Sequence, residues 1–194
     1  IRIVMVERNK AIAKDMGDGP RPIIEKALSD LGIETRTGTG VVSLDEAGVL
    51  LDSGERIDCS TVIWAAGIRA APLTSKIAAE RDNFGRLLVD DVLRVPNVPG
   101  VFATGDAAKA ASDDLGHYAL MSCQHATRMG AFAGNNAAAD LLGIPPTPYH
   151  QRAYVTCLDL GAAGALVTRG WDRRVEMVGA DAKKLKAEIN TVWI

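Results

Sequence analysis

Three of the usual signals of a metal, a membrane or a nucleic acid are missing from this chain of 194 residues. Its three cysteines, Cys59, Cys123 and Cys157, stand far apart, and no C-x-x-C pair exists. The three histidines, His117, His125 and His150, make no H-x-x-x-H pair. These spacings exclude the common metal motifs and predict a reduced, intracellular, cytoplasmic setting. No apolar run reaches the length of about eighteen residues needed to span a bilayer. The net charge is only −2, so there is no basic face for nucleic acid. Aromatic residues make up 5% of the chain, whereas 29 Ala and 19 Gly make up about a quarter of it. Small residues let backbones and ligands approach closely. The first residue is Ile, not Met, and it opens directly into an apolar run, as expected of a chain that starts within a longer one.

The pattern along the chain predicts an α/β fold. Ile1–Val6 is a continuous, β-branched run that fits a strand buried on both faces of a parallel sheet. Ile23, Ile24, Ala27, Leu28 and Leu31 recur at helical spacing, and Gly32 stops that helix. Ile33–Arg36 is the next strand. Val41–Leu44, Val49–Leu51 and Arg56–Ile57 read as short antiparallel strands joined by turns. Thr61–Trp64 reads as a buried strand ending in Ala65-Ala66-Gly67, and Leu87–Val89 and Val101–Ala103 read as two more strands. Residues 122–142 form the longest predicted helix, rich in Ala and Gly, and Gly143-Ile-Pro-Pro-Thr-Pro148 closes it. Strands are expected at Tyr154–Cys157 and Ala165–Val167, and a solvated helix at 181–188. Three regions follow: 1–70, 71–148 and 149–194.

Three segments carry chemistry. Val4-Met-Val-Glu7 ends a strand on a carboxylate, where a dinucleotide-binding unit accepts hydrogen bonds from the adenosine ribose. A carboxylate there repels a 2′-phosphate and favours NADH over NADPH, while Arg8, next to it, works against that preference. Thr61-Val-Ile-Trp-Ala-Ala-Gly67 ends in residues small enough to lay backbone against a flat ligand. Val98-Pro-Gly-Val-Phe-Ala-Thr104-Gly105-Asp106 delivers a carboxylate at a turn, placed to accept hydrogen bonds from the ribityl hydroxyls of a flavin. Met121-Ser122-Cys-Gln124-His-Ala126 then opens the long helix, whose positive dipole end stabilises negative charge on a reduced flavin.

In order and spacing these segments resemble the pyridine nucleotide–disulfide oxidoreductase superfamily, and within it the type II NADH dehydrogenases (NADH:quinone oxidoreductases). The resemblance covers residues 1–150 well. It implies a Rossmann-like three-layer FAD/NAD(P)-binding fold, here incomplete: 1–70 the C-terminal part of an NAD(H)-binding domain, 71–148 the C-terminal part of an FAD-binding domain, 149–194 an interface region. It implies FAD and NAD(H) as cofactors, with Glu7 on the NADH ribose and Ala66 and Gly67 beside the nicotinamide nucleotide. Thr104, Gly105 and Asp106 fall on the FAD ribityl chain, and Ser122, Gln124 and Ala126 near the isoalloxazine ring. No catalytic nucleophile is implied, and Cys123 is expected to be a small buried thiol.

The implied activity is hydride transfer from NADH to FAD and electron transfer to a quinone or another small acceptor. The implied setting is a homodimer, with peripheral contact to the inner face of a bacterial plasma membrane. The sequence departs from the pattern in two places. Arg128 and Met129 stand where the family usually carries a Gln-Gln pair near the quinone, and no G-x-G-x-x-G occurs. In the strand order 3-2-1-4-5 the first strand is central, so its absence leaves its neighbours unpaired; the chain is expected to be the C-terminal half of a protein of about twice the length. A second reading is a soluble, ferredoxin-reductase-like NAD(P)H reductase of an iron–sulfur protein, with Arg69, Arg128 and Arg152 as a face for an anionic partner. A third is that this stretch alone holds no FAD and is inactive.

Overall fold

The computed structural model describes residues 1–151 and 153–193. Ile3–Glu7 forms β1; α1 (Arg21–Asp30) crosses over to β2 (Ile33–Thr37), which pairs parallel to β1 from Ile3 opposite Ile33 to Glu7 opposite Thr37. Prolines at 20 and 22 start α1, where a missing N–H costs nothing, and Gly32 ends it at φ +67°. β3 (Val41–Asp45), β4 (Gly48–Leu51) and β5 (Arg56–Asp58) make an antiparallel meander in that order. The first turn is held by Asp45, whose carboxylate accepts the N–H groups of Ala47 and Gly48 at 2.9 and 3.2 Å. Gly48 has to be glycine: a Cβ there would stand 2.2 Å from the Ile57 carbonyl oxygen. Buried Val49, Leu51 and Ile57 pack with Val4, Val6 and Val41.

Thr61–Trp64, expected as a buried strand, is not one. It belongs to no strand, with Ile63 87% and Trp64 65% exposed. Among the described residues its backbone makes no ladder hydrogen bond. A fully apolar strand holds its shape only between neighbours in a sheet, and none flanks it here.

Residues 65–152 are mostly irregular around one helix. β6 (Leu87–Leu88) pairs parallel with β7 (Ala108–Lys109). Val101–Ala103, expected as a strand, forms only the single bridge Arg94–Phe102, because the prolines at 96 and 99 interrupt pairing. α2 (Cys123–Leu142) begins after Ser122 and ends at Gly143 in the left-handed conformation. Its Met129 and Ala133 enter a core with Leu87, Leu93, Val95 and Tyr149. Fully buried Asn136 ties down the proline-rich segment that follows α2. Its Nδ2 donates to the carbonyls of Val92 and Thr147, and its Oδ1 accepts the Thr147 N–H, at 2.9, 2.9 and 2.8 Å.

β8 (Val155–Asp159), β9 (Ala165–Arg169) and β10 (Arg174–Val178) form an antiparallel sheet in the order β10-β9-β8. α3 (Gly179–Glu188) sets Ala182 and Leu185 against Ala165 and Val167. Leu166, on the other face of β9, packs with Ile12, Ile24 and Leu28. By contact the chain divides into two compact units, 1–64 with 153–194, and 65–152. Residues 149–152 therefore go with the segment before them, and the terminal sheet goes with α1.

Candidate functional site

The residues of the Gly-Asp turn and of the long helix, far apart in sequence, meet inside the unit of residues 65–152. Gly105–Ala107 is a single 3-10 turn entered from extended Thr104, and Gly105 takes φ +62°. A Cβ on Gly105 would lie 3.4 Å from the Cβ of Ala126, in the first turn of α2. Glycine at 105 and alanine at 126 thus let the turn close onto the helix start. The meeting brings Thr104, Gly105 and Asp106 beside Ser122 and Ala126. Asp106 is exposed, and its carboxylate has no hydrogen-bond partner among the described residues. The Thr104 hydroxyl is buried with no partner in the structure.

Ser122 occupies the N-cap position of α2, but its hydroxyl makes no cap bond. It shares a 2.9 Å hydrogen bond with Nδ1 of the fully buried His125 instead. The first turn of the helix is therefore not closed by the side chain that usually closes it, and its positive end is left for an anion or a polarised carbonyl. The Gln124 carbonyl accepts a weak bond from Gln151 Nε2 at 3.4 Å, and Tyr149 Oη donates to Gln151 Oε1 at 2.9 Å. His125 was not singled out from the sequence. Its signal is the Ser122-x-x-His125 spacing, which stacks the two side chains on one helix turn. Cys123, expected to be buried, is exposed, because the first helix position faces outward here. Met129 is fully buried in the core, so of the two positions of the Gln-Gln pair only Arg128 reaches the surface.

Glu7 stands at the C-terminal end of β1, the rim of a parallel sheet where ligands bind. Its Oε1 accepts both the backbone N–H and the side-chain amide of Asn9, at 2.7 and 2.8 Å. The Asn9 carbonyl is in turn fixed by the Gly38 N–H at 2.8 Å. Oε2 of Glu7 accepts no hydrogen bond among the described residues. Ala66 and Gly67 belong to the other unit, and Gly67 takes φ +94° with open space where a Cβ would be. Of the three basic residues named as a docking face, Arg69 donates to the Asn83 carbonyl and Arg128 to the His150 carbonyl at 2.9 Å. Arg152 lies outside the described residues.

A family model described as pyridine nucleotide-disulphide oxidoreductase matches residues 1–130. An NADH dehydrogenase-like protein of Mycobacterium tuberculosis is 50% identical over 190 residues, which are 98% of this chain and 47% of that protein. A type II NADH:quinone oxidoreductase of the same organism is 32% identical over 114 residues, 54% of this chain and 24% of the relative. The chain thus spans less than half the length of either. Among solved structures, a water-forming NADH oxidase of Lactobacillus brevis, bound to NADH, has a TM-score of 0.71 at 20% identity, over 94% of this chain and 39% of that one. This likeness shows the fold, the α/β architecture of FAD- and NAD(P)-binding flavoproteins. With its matched residues running from β1 through the first turns of α2, the chain belongs to the pyridine nucleotide-disulphide oxidoreductase family.

Proposed function

We propose that the protein carrying this chain is an FAD-dependent NADH dehydrogenase, passing hydride from NADH to FAD and electrons onward to a quinone-like acceptor. The observation that carries this proposal is the closure of Gly105 onto Ala126, which gathers an unpartnered carboxylate, a buried unpartnered hydroxyl and an uncapped helix start. These residues fit a flavin: a polyhydroxyl chain for Asp106 and Thr104, and a ring carbonyl that gains negative charge for the start of α2.

When bound, the flavin supplies hydride acceptance and the stepwise release of electrons. The chain supplies position and charge. Asp106 would accept hydrogen bonds from the ribityl hydroxyls, and Thr104 would offer its hydroxyl as a further partner. Gly105 leaves room for the backbone to approach. Ser122, Gln124 and Ala126 would present the helix end, and the His125–Ser122 bond keeps the Ser122 hydroxyl from closing it. Glu7, braced by Asn9, would take the hydroxyls of the adenosine ribose, and Ala66 and Gly67 would hold the nicotinamide nucleotide. No side chain is required as a nucleophile.

Quinone as the acceptor rests on similarity to relatives such as the mycobacterial NADH:quinone oxidoreductase. Peripheral membrane contact and a homodimer in a bacterial cytoplasm belong to the same proposal. In the iron–sulfur-protein alternative, exposed Arg69 and Arg128 each donate one hydrogen bond to a backbone carbonyl of their own unit and keep their charge for an anionic partner. The test is anaerobic mixing of the intact protein with NADH, followed by a soluble quinone. NADH is expected to bleach the flavin absorbance and the quinone to restore it. A flavin that NADH leaves coloured contradicts the proposal. Restoration only by an iron–sulfur protein, at a rate that falls with salt, replaces the acceptor.

A further inference from the structure

Arg8 poses a problem for the nucleotide site. It is an exposed cation directly after Glu7, and an arginine at this point of a dinucleotide fold is the usual receiver of a 2′-phosphate. If both side chains faced the ribose, the site would hold an acid that rejects NADPH and a base that attracts it.

The structure separates the two. Alternation along β1 puts Glu7 with Ile3 and Met5, which are exposed, and Val4 and Val6 on the opposite side, where they pack on the β3–β5 meander. On that side lies Asp52, at the end of β4. Above Gly40, the point where a Cβ would stand is 3.5 Å from Asp52 Oδ2 and 3.9 Å from Arg8 Nε. The carboxylate and the guanidinium thus both lie close to Gly40. Asp52 is fixed there: the Thr39 hydroxyl donates to Oδ1, and the Asp52 N–H donates to the Gly40 carbonyl at 2.9 Å. Thr39 is buried and its N–H reaches the Glu7 carbonyl at 3.4 Å, so the Asp52 anchor is tied to the strand end that carries the acid. Hydrogen bonds from the Thr39 hydroxyl and the Gly40 and Ser53 backbone, with the nearby Arg8 charge, hold the Asp52 carboxyl below its ordinary range, so it is anionic at neutral pH.

We infer that Asp52 is a specificity-determining residue: it draws the Arg8 guanidinium over Gly40, to the side of the sheet away from Glu7, so that the site selects a nicotinamide nucleotide with a free 2′-hydroxyl. This rests on the NADH reading proposed above. Asp52 touches no nucleotide; it acts through Arg8. The acid alone would reject a 2′-phosphate, and the counter-charge prevents its neighbour from compensating.

The test is equilibrium binding of NADH and NADPH to the intact protein, read by nucleotide fluorescence, for the wild type, Asp52→Asn, Arg8→Ala and the double variant. The wild type is expected to bind NADH more tightly. Asp52→Asn is expected to strengthen NADPH binding on the order of tenfold, the worth of one charge-assisted contact to phosphate, with NADH binding unchanged. Adding Arg8→Ala is expected to abolish that gain, and the gain is expected to shrink in high salt. If Asp52→Asn loses its fold, visible in circular dichroism, Arg8→Ala alone decides: with Arg8 held away, it leaves NADPH binding as weak as in the wild type, whereas a further several-fold weakening shows that Arg8 already reaches the phosphate. A well-folded Asp52→Asn with an unmoved NADH/NADPH ratio overturns the role of Asp52 and leaves the NADH reading standing. A wild type that binds neither nucleotide overturns both.

Discussion

The two expected ligand sites are built in different ways. In the unit of residues 65–152, Asp106 rides a turn that packs against a helix starting seventeen residues later, and one glycine–alanine approach brings the two together. In the other unit, Glu7 ends one of only two parallel strands, and β1 leaves Ile3 and Met5 half exposed. The unpaired Thr61–Trp64 ribbon in the same unit exposes Val62, Ile63 and Trp64. Residues on a turn and on its own helix are brought together within a short stretch of chain. A site at the rim of a parallel sheet depends on strands that must be covered on both faces.

The largest effect should come from breaking the closure in the first unit. Gly105→Val adds a branched side chain where a Cβ already lies 3.4 Å from Ala126, at φ +62°. Flavin content of the intact protein is expected to fall at least about tenfold, as misplaced contacts of this kind cost, while NADH binding, measured separately, is expected to persist. Loss of both would show that the two sites are not independent. Next, Asn136→Ala removes three hydrogen bonds and leaves the buried Val92 carbonyl without this donor. A loss of about 2–4 kcal/mol is expected in urea unfolding, with hydrogen exchange faster in α2 than in β3–β5.

In the second unit, Asn9→Ala removes the side-chain amide that braces the Glu7 carboxylate and keeps the backbone N–H that also holds it. NADH affinity is expected to fall about threefold to tenfold, one hydrogen bond's worth of positioning, with the flavin retained. The smallest effect concerns acid stability. Arg2 and Arg36 hold the Glu34 carboxyl at about 2, well below its ordinary 4.5, through ion pairs at 2.6 and 3.2 Å. A carboxyl depressed in the folded state stabilises above its unfolded value, and that contribution is lost as pH falls from 4.5 toward 2. Both partners are exposed, so the effect is slight. Glu34→Gln is expected to flatten the fall in melting temperature over that window and to change it little at pH 7.

What the sequence made legible follows the same division. α2 was readable almost to the residue, because Ser122, Gly143 and Pro145 mark its ends chemically. The β3–β5 meander was readable from its turns, since Asp45 and Gly48 impose local geometry. Thr61–Trp64 was misjudged because apolar, β-branched composition signals a buried strand but not whether neighbours are present. β10 was missed because Arg174 and Glu176 interrupt its apolar pattern; Glu176 instead pairs with Arg169 across the hairpin at 2.8 Å. Of the residues named from sequence, the turn Thr104–Asp106 and the start of α2 are brought together through Gly105 and Ala126. The supporting residues His125, Asn9 and Asp52 were not, since the Asp52–Arg8 approach spans forty-odd positions and no short motif encodes it.

The central claim is that Asp106 and the start of α2 form a flavin site. The most direct measurement is the FAD-to-protein ratio of the purified intact protein, from absorbance, beside that of Asp106→Ala. One FAD per chain in the wild type is expected, with loss of most of it in a variant whose circular dichroism is unchanged. A wild type that takes up no FAD, or an Asp106→Ala variant that retains it with undiminished affinity, would contradict the claim.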